Sequence, residues 1–322
     1  MNSLIIPIYR NQASIPDLLA ALKELSSRLR HTLEVVFVVD GSPDNCFELL
    51  RNALPNMPFH SRLLLHSRNF GSFAAIRSGL AAAQGPNFAV MAADLQEPID
   101  LAFEFFQRLN LGEVDVIVGS RDSRQDPLLA RLASHLFWWA YRKLVMPHIP
   151  KGGVDVFGCN LRFRNQLLAL DESHSSLIGL IFWLGFRREE VRYHRLGRQY
   201  GKSAWTLGRK FNYLMDSIFA FSDLPIKLLL GAGIAGLGVS ILFGIAVLLL
   251  RLTGQLPVPG YSATIITVLF FGGLNALGLG IIGAYVWRAY ANTQRRPLAV
   301  IMQEEQYVGA EASIIPPRGN NP

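Results

Sequence analysis

Five polar clusters in the first part of the chain contain the residue types that could do chemistry. Each directly follows a short apolar run, and together they occupy residues 7–11, 40–44, 67–71, 94–98 and 119–121. Asp94 is the only acidic residue at the immediate end of the fourth run, and a carboxylate there suits a hard divalent cation. Gly, Ser, Asp and Pro are also ordinary turn residues, so each cluster alone has a second explanation. Five clusters in succession favour a binding site.

The elements that must position these clusters are strands and helices in alternation. Apolar runs at 4–8, 34–39, 62–66, 88–92 and 114–119 are typical of strands, and helix-like patterns lie near 14–30, 44–53, 72–84 and 98–110. Such alternation predicts an α/β fold with a mostly parallel sheet and helices on both faces. Sheets of this kind bind ligands beyond the carboxyl ends of their strands, where all five clusters fall.

The composition excludes several classes of protein. Of the 322 residues, 50% are apolar and 17% are charged, whereas a typical soluble domain has about 25% charged residues. Extensive disorder and a wholly water-exposed protein are therefore excluded. The net charge of +7 indicates an anionic partner such as a lipid headgroup, a phosphate or a nucleic acid. Cys46 and Cys159 cannot form a disulfide scaffold and lack metal-ligand spacing, so we expect buried thiols in a reducing compartment.

Two uncharged apolar runs in the last third of the chain predict membrane-spanning helices. They comprise 23 residues at 228–250 and 27 residues at 261–287, and about 20 apolar residues cross a bilayer core. Lys227 and Arg251 bracket the first run, and Trp287 and Arg288 follow the pattern of interface anchors at the end of the second. The alternative, two core helices of a large soluble domain, is disfavoured because the two runs stand back to back.

Basic residues predict the orientation of this helical hairpin. They are frequent before the first run and after the second, whereas the connecting loop contains Arg251 alone. We therefore expect an integral protein of the cytoplasmic membrane with both termini in the cytoplasm and the segment around Val258 outside. The polar residues 291–322 are expected to form a mobile tail. Small residues recur at every fourth position of both runs. This spacing either allows close helix packing or reflects the abundance of small residues in membrane helices. The residues are Ala232, Gly236, Ser240 and Gly244 in the first run, and Gly272, Ala276, Gly280 and Ala284 in the second.

Six segments of the chain resemble one family of enzymes. They are PIYRN, VVDGSPD, HSRNFGSFAAIRSGL, ADLQEP, GSRDSRQDPLLARLASHLFW and RQYGKSAW. The chain resembles the polyprenyl-phosphate glycosyltransferases of family 2, which are similar to dolichol-phosphate-mannose synthase, and within them the bacterial two-span branch that glucosylates undecaprenyl-type phosphate. The resemblance covers residues 3–290 and implies a nucleotide-sugar-binding A-type glycosyltransferase domain, which is Rossmann-like, followed by two transmembrane helices.

The resemblance implies a donor site for a nucleotide sugar. It places Asp94 and Gln96 on Mg²⁺ or Mn²⁺, which neutralises the leaving diphosphate as a Lewis acid. Residues implied to bind the nucleotide sugar are Pro7, Tyr9, Asn11, Asp40, Asn69 and Asp94, with Pro7 and Tyr9 at the base and Asp40 at the ribose or base. The chain departs from the family at Val39 and Ala92, each in place of the first Asp of a pair, and at Asn11 and Gln12, where an acid is common. We therefore expect a metal that binds weakly without the nucleotide, with lost activity as the alternative.

A lipid phosphate is the implied acceptor. Its second pKa is about 6, so its oxygen is an anion at neutral pH and a general base is not obligatory. Asp155 matches a family acid near the acceptor and is, with Asp94, the expected catalytic residue; it positions the reaction centre, acts as a base, or belongs to a structural turn. Residues expected to bind the lipid phosphate are Arg121, Arg124, Arg131, Ser134, Arg198 and Lys202, with a solvated basic surface as the alternative. A helix containing Trp138 and Tyr141 is expected at headgroup depth.

The resulting prediction is inverting transfer of a hexose to an undecaprenyl-type phosphate, for later cell-surface or membrane glycosylation. UDP-glucose is the favoured donor; GDP-mannose, UDP-N-acetylglucosamine and an inactive membrane scaffold are alternatives. A processive polysaccharide synthase is disfavoured because no Gln-x-x-Arg-Trp motif occurs, and a nucleic-acid binder because basic residues crowd the membrane boundary. We expect a homo-oligomer with a cytoplasmic glycosyltransferase domain at 1–204, an interfacial amphipathic helix at 205–225, a transmembrane hairpin at 226–290 and the tail at 291–322.

Overall fold

Within the described part of the chain, eight strands form one mixed sheet in the computed structural model. The structure describes residues 1–121, 141–143, 146, 149–150, 153–172, 175–197, 207–253 and 261–309. The strands are β1 (Asn2–Ile8), β2 (Leu33–Val39), β3 (His60–His66), β4 (Asn87–Val90), β5 (Val116–Arg121), β6 (Val156–Asn160), β7 (Arg188–Tyr193) and β8 (Ile301–Tyr307). Their spatial order is β7-β5-β6-β4-β1-β2-β3-β8. β6 and β8 run antiparallel to their neighbours, and the other neighbouring pairs are parallel.

The helices connect these strands and then continue beyond the sheet. They are α1 (Ile15–Arg28), α2 (Cys46–Ala53), α3 (Ser72–Ala82), α4 (Ile99–Asn110), α5 (Leu161–Ala169), α6 (Leu177–Trp183), α7 (Leu207–Phe221), α8 (Leu224–Leu252) and α9 (Tyr261–Thr293), with short 3-10 helices at Gln12–Ser14 and Leu54–Asn56. Residues at the N-terminus of two of these helices favour the start of the helix. Pro16 lies in the first turn of α1, where its missing amide hydrogen costs no helical hydrogen bond. Asn160 caps α5 by accepting a hydrogen bond from the Phe163 amide at 2.9 Å.

The sheet is covered on both faces, and alternate strand residues supply the two cores. Leu4 and Ile6 of β1 belong to a cluster with α1, α2 and α4, whereas Ile5 belongs to a cluster with α3, α5 and α6. β2 is buried along its whole length, as is typical of a parallel strand between two helical layers. Tyr141 is also fully buried in the second cluster, so its side chain packs in the core of the sheet domain rather than contacting headgroups, and the depth of its helix stays a prediction.

The predicted α/β class is confirmed, and the five predicted strands and four predicted helices correspond to β1–β5 and α1–α4. β6, β7 and β8 were not predicted. The prediction of a mobile tail at 291–322 is wrong for Ile301–Tyr307, because these residues form β8 and pair antiparallel with β3 at the edge of the sheet. Arg62 of β3 supports this pairing, since its guanidinium contacts both Glu34 and Glu304 at 3.2 Å.

Two helices of the described chain, α8 and α9, are long and apolar enough to cross a membrane. The most apolar parts are Leu224–Val247 and Phe270–Thr293, with mean hydropathies of 2.2 and 1.4. Almost none of the residues in these two windows are buried within the protein, 0% in the first and 6% in the second. The preceding helix α7 packs onto the sheet domain through Phe221 and is joined to α9 by an ion pair between Asp216 and Arg288, with Nη2 2.7 Å from Oδ1.

Candidate active site

A pocket of about 710 Å³ lies at the carboxyl ends of β1, β2 and β4. The chain crosses from each strand into its helix here, which brings together side chains that are distant in sequence. All six residues predicted to bind a nucleotide sugar line this pocket: Pro7, Tyr9, Asn11, Asp40, Asn69 and Asp94. Their predicted roles remain proposals, but the predicted donor residues do converge on one cavity of a size that holds a small molecule.

Asp40 is buried beneath the pocket and organises the loop after β3. Its carboxylate accepts hydrogen bonds from the amides of Phe70 at 2.9 Å and Gly71 at 2.8 Å. It also contacts Nδ1 of the buried His66 at 2.8 Å. Both carboxylate oxygens therefore hold this loop, and the predicted contact of Asp40 with a ribose or a base stays a prediction. Gly41 beside it has a φ of +55° and no room for a Cβ, which would lie 2.2 Å from the Arg68 carbonyl carbon.

The turn after β1 is joined to the turn after β2 by several hydrogen bonds. The Arg10 amide donates to the Ser42 hydroxyl at 2.8 Å, and the Gln12 amide donates to the Asp44 carboxylate at 3.1 Å. Asn11 accepts a hydrogen bond from the Tyr9 amide at 3.1 Å, so its side-chain oxygen shapes this turn. These bonds fix the backbone next to the Tyr9 ring, which lines the pocket.

Asp94 and Gln96 flank a strained residue after β4. Leu95 between them has a φ of 54°, a left-handed conformation that is uncommon for a bulky residue. The Ser14 hydroxyl lies 2.9 Å from the carbonyl of Ala93 and fixes the start of this turn. Gln96 is held from the other side, because Arg195 donates to its Oε1 at 2.5 Å and the Leu196 amide donates to its carbonyl at 2.9 Å.

Asp155 lies immediately before β6 and faces the end of β5. Arg121 binds it with two nitrogens, and Nη2 lies 2.6 Å from Oδ1. The hydroxyl of Tyr193 donates to Oδ2 at 2.9 Å. Burial raises the pKa of Tyr193 and the Asp155 carboxylate raises it further, so the phenol remains a hydrogen-bond donor. Arg121, which we predicted to bind a lipid phosphate, is paired with Asp155, and its contact with a phosphate stays a prediction.

Glu97 is a third carboxyl group in this region, and it is almost completely buried. Burial raises its pKa to about 7; Arg195 opposes this increase, while Asp94 and Asp155 add to it. Arg195 Nε lies 3.9 Å from Glu97 Oε1, and Glu97 Oε2 has no hydrogen-bond partner among the described residues. The sequence prediction included Glu97 only as part of a motif, and it did not identify Tyr193 or Arg195 as site residues, because both belong to β7 and the segment after it.

Of the two predicted metal ligands, Asp94 lines the pocket, whereas Gln96 is buried and is not among the residues that line it. Asp94 offers a carboxylate and Gln96 an amide oxygen, and the Gln96 oxygen already accepts a hydrogen bond from a cationic guanidinium. Among the described residues, no three His, Cys, Asp or Glu side chains are grouped to hold a metal ion. Mg²⁺ characteristically keeps waters and takes substrate phosphate oxygens, so two protein ligands suffice when a diphosphate supplies the others. The two positions at which the family often has a further acid are apolar in this chain. Ala92 lines the pocket, and Val39 is buried in β2.

Further residues that line the pocket belong to elements that the sequence did not connect to it. Arg77 of α3 is one of them, and it donates to the carbonyls of Leu167 at 3.0 Å and Leu170 at 2.6 Å. Others are Glu172, Ser175, Asp216 and Leu298. Asp216 belongs to α7 and Leu298 follows α9, so the pocket is lined both by residues of the sheet domain and by residues next to the two long apolar helices.

Five of the predicted site residues lie outside the described part of the chain. They are Arg124, Arg131, Ser134, Arg198 and Lys202, all predicted to bind a lipid phosphate. Arg121 is the one member of that set that the structure describes, and it is close to Asp155 as given above. The predicted acceptor site therefore remains a prediction, adjacent in sequence to the described ends of β5 and β7.

A mixed sheet with helices on both faces and a polar pocket at the strand ends defines the class as an A-type glycosyltransferase fold. The family model for "Glycosyl transferase family 2" matches residues 3–170. The chain is 33% identical over 301 residues to the putative glycosyltransferase CsbB of Bacillus subtilis, a match that covers 94% of this chain and 91% of the relative. It is 27% identical over 304 residues to the bactoprenol glucosyl transferase of Shigella phage SfV, covering 94% and 99%. The chain therefore belongs to glycosyl transferase family 2 and is a glycosyltransferase.

Proposed function

We propose that this enzyme transfers a hexose, with inversion, from a nucleotide sugar to a polyprenyl phosphate in the cytoplasmic membrane. The observation that carries the proposal is that one pocket is lined both by Tyr9 and Asp94 at the strand ends and by Asp216 and Leu298 next to the long apolar helices. A soluble donor and a membrane-borne acceptor need such a cavity between the sheet and the membrane helices. The similarity to a bactoprenol glucosyl transferase over nearly the whole of both chains supports the lipid acceptor.

On the donor side, we propose UDP-glucose, with its base near Pro7 and Tyr9 and its diphosphate near Asp94. Asp94 and Gln96 would hold Mg²⁺ or Mn²⁺, which as a Lewis acid supplies neutralisation of the leaving diphosphate. Asp40 and its hydrogen bonds to the 70–71 backbone keep this side of the pocket in shape before the donor arrives. GDP-mannose and UDP-N-acetylglucosamine remain the alternative donors, because no described contact selects among the bases or the sugars.

On the acceptor side, the phosphate oxygen is the nucleophile. It attacks the anomeric carbon as the bond to the nucleotide diphosphate breaks, and no proton has to be removed because the phosphate is already anionic at neutral pH. Asp155, fixed by Arg121 and Tyr193, is proposed to position this reaction centre. A fixed group of this kind lowers the barrier because its orientation is not lost during the reaction.

The phosphate itself is proposed to be held by five polar and basic side chains: Arg124, Arg131, Ser134, Arg198 and Lys202. The arginines are the most specific of these, because a guanidinium matches two phosphate oxygens with two donors at once. Substituting Arg131 by Ala tests this separately from the donor site. We expect a raised acceptor KM with unchanged nucleotide affinity. A lower nucleotide affinity with unaltered acceptor dependence would assign Arg131 to the donor pocket instead.

Membranes containing the enzyme test the whole proposal when they are incubated with radiolabelled UDP-glucose, UDP-N-acetylglucosamine or GDP-mannose. We expect label from UDP-glucose in an extracted polyprenyl-phosphate product, and a β-linked sugar by NMR because inversion of the α-linked donor gives this anomer. Label from another donor would correct the donor alone. Absence of lipid product with all three donors, under conditions that preserve the fold, would overturn the proposed transfer of a hexose to a polyprenyl phosphate.

A further inference from the structure

The chain at the end of β7 contacts the turn after β4. We define the β7 strap as residues 193–196 and the donor turn as residues 94–97. The Leu196 amide of the strap donates to the Gln96 carbonyl at 2.9 Å, and the Arg195 guanidinium donates to Gln96 Oε1 at 2.5 Å. Because β5 and β6 lie between β7 and β4 in the sheet, this contact joins two strand ends that the sheet itself does not place side by side.

The same strap also contacts the carboxylate that we propose to position the reaction centre. The Tyr193 hydroxyl donates to Asp155 Oδ2 at 2.9 Å. Four consecutive residues therefore contact both the donor turn and Asp155. In the proposed function, the leaving diphosphate lies near Asp94 of the donor turn and the attacking phosphate lies near Asp155. The β7 strap thus joins the two halves of the proposed reaction centre.

The surroundings of Arg195 are not those of an ion pair that serves stability alone. Arg195 Nε lies 3.9 Å from Oε1 of the buried Glu97, and within the described part of the chain neither Arg195 Nε nor Glu97 Oε2 has a hydrogen-bond partner. Leu95 of the same turn has a left-handed φ of 54°. Unsatisfied buried groups and backbone strain both lower stability, and proteins retain them chiefly where function needs a fixed geometry.

We propose that Arg195 is a positioning residue for sugar transfer, which holds the donor turn at a fixed distance from the Asp155 carboxylate. The inference rests on the proposed function, because it takes the donor to bind at the donor turn and the acceptor phosphate to bind near Asp155. Each substrate still binds when these two groups shift apart, but the anomeric carbon and the attacking oxygen then lose the alignment that the reaction needs. Loss of Arg195 therefore lowers kcat more than it raises the KM of either substrate.

The first test separates positioning from stability. Removal of Arg195 alone leaves the buried Glu97 carboxylate without its cation and destabilises the fold, so the purified full-length variants compared are Glu97→Gln and Glu97→Gln/Arg195→Leu. In the double variant we expect a kcat about tenfold to hundredfold lower, with unchanged KM values, UDP affinity and melting temperature. Arg187→Leu is the control, because Arg187 binds Asp115 at the other end of β7, and it should keep the wild-type kcat. An undiminished kcat in the double variant, or an equal loss in Arg187→Leu, would overturn the proposal.

A double-mutant cycle with Tyr193→Phe, in the Glu97→Gln background, tests whether the strap acts as one unit. Either substitution frees the strap, so the losses in kcat from Tyr193→Phe and Arg195→Leu are expected to be less than additive. Fully additive losses would overturn the role of the strap.

Formation of a polyprenyl-phosphate sugar by the wild-type enzyme is measured in the same assay. Product from the wild type together with an undiminished kcat in the double variant would overturn this inference alone. Absence of product from the wild type would overturn the proposed function and this inference with it.

Discussion

Arg121 and Asp155 face each other across the ends of β5 and β6, with Nη2 of the arginine 2.6 Å from Oδ1 of the carboxylate. The same carboxylate accepts a hydrogen bond from Tyr193 at the end of β7. Three neighbouring strands therefore fix one acidic group from two directions. Such a carboxylate is held in a single orientation, as expected of a group that positions a reaction centre.

Tyr193→Phe tests this positioning because it removes one hydrogen bond and retains the buried ring. A hydrogen bond to a charged group contributes about 1.5–3 kcal/mol, so we expect kcat to fall by about tenfold to a hundredfold with an unchanged donor KM. The matched control is Tyr307→Phe, which removes a hydroxyl bonded to Glu305 at the opposite edge of the sheet. Steady-state kinetics with purified enzyme and lipid acceptor measure both variants. Equal losses in the two variants would remove Tyr193 from the site.

The raised pKa of the buried Glu97 carboxyl group makes the stability of the fold depend on pH. Burial raises its pKa to about 7 in the folded protein, above the value of 4.5 for an unperturbed glutamate. Below pH 4.5 the Glu97 carboxyl is protonated in both states, and its contribution to the free energy of unfolding is fully present. As the pH rises from 4.5 to 7, the unfolded chain releases the Glu97 proton before the folded protein does, so the folded state is progressively destabilised. Glu97→Gln should therefore raise the melting temperature relative to the wild type at about pH 8 and have little effect at about pH 4.5, with a ceiling of about 3 kcal/mol.

Thermal unfolding in detergent micelles at the two pH values measures this difference. Glu113→Gln is the control, because Glu113 is exposed in the loop before β5. If the wild type and Glu97→Gln differ by the same amount at both pH values, Glu97 is not the group that titrates between them.

The sequence predicted the first five strands because each is a short apolar run followed by turn residues. β7 and β8 escaped prediction for a physical reason: their sequences, REEVRY and IMQEEQY, are polar, because edge strands leave much of their surface to solvent. β8 also pairs with a strand far earlier in the chain, as the contact between Arg62 and Glu304 shows, and no local pattern indicates such a partner.

Some residues of the candidate site could also be predicted from the sequence, whereas others could not. The polar clusters that contain Tyr9, Asn69 and Asp94 could be found because they directly follow apolar runs, and the resemblance to the family implied their roles. The parallel sheet brings those strand ends together. Tyr193 and Arg195 were missed because they belong to an unpredicted strand and the segment after it. The hydrogen bonds by which Asp40 holds the loop after β3 could not be predicted from the sequence either, because their donors are backbone amides of that loop.

Asp40→Asn should lower stability more than it lowers donor affinity. The substituted amide cannot accept hydrogen bonds at both positions, so a buried backbone amide or His66 loses its partner, which costs about 1–3 kcal/mol or more. Asp17→Asn in the exposed first turn of α1 is the control. Differential scanning fluorimetry and titration with UDP measure the two effects. Wild-type stability together with a large loss of UDP affinity would return Asp40 to the ribose contact that the sequence suggested.

The pairing of β8 with β3 constrains the topology of α8 and α9 if these two helices cross a membrane as proposed. Because β8 follows α9 and joins the sheet that precedes α8, both ends of the hairpin must lie on the same side of the membrane. The distribution of basic residues predicts that this side is the cytoplasm. Val258→Cys should react with a membrane-impermeant maleimide in intact cells, whereas Met302→Cys, 63% exposed on β8, should react only after lysis. Labelling of Met302→Cys in intact cells would contradict the proposed orientation.

Asp94→Asn should abolish metal-dependent transfer and leave the protein folded and in the membrane. Asp94 lines the pocket at the end of β4, and the strained Leu95 sets its relation to Gln96. The substitution removes the one carboxylate of the proposed donor pair, and electrostatic stabilisation of a leaving diphosphate is worth several kcal/mol. A loss of at least about a hundredfold in kcat is therefore expected, since about 2.7 kcal/mol corresponds to this factor.

Asp100→Asn is the matched control for this substitution. Asp100 lies in the first turn of α4, where its exposed carboxylate forms an ion pair with Arg28. An exposed pair contributes about 0–1 kcal/mol, so this variant should keep wild-type turnover. Binding of Mn²⁺ in the presence of UDP, measured by electron paramagnetic resonance, separates loss of the metal from loss of the fold. If Asp94→Asn binds Mn²⁺ normally and turns over at an ordinary metal concentration, Asp94 is not a metal ligand, and the charge that neutralises the diphosphate must come from cationic side chains instead.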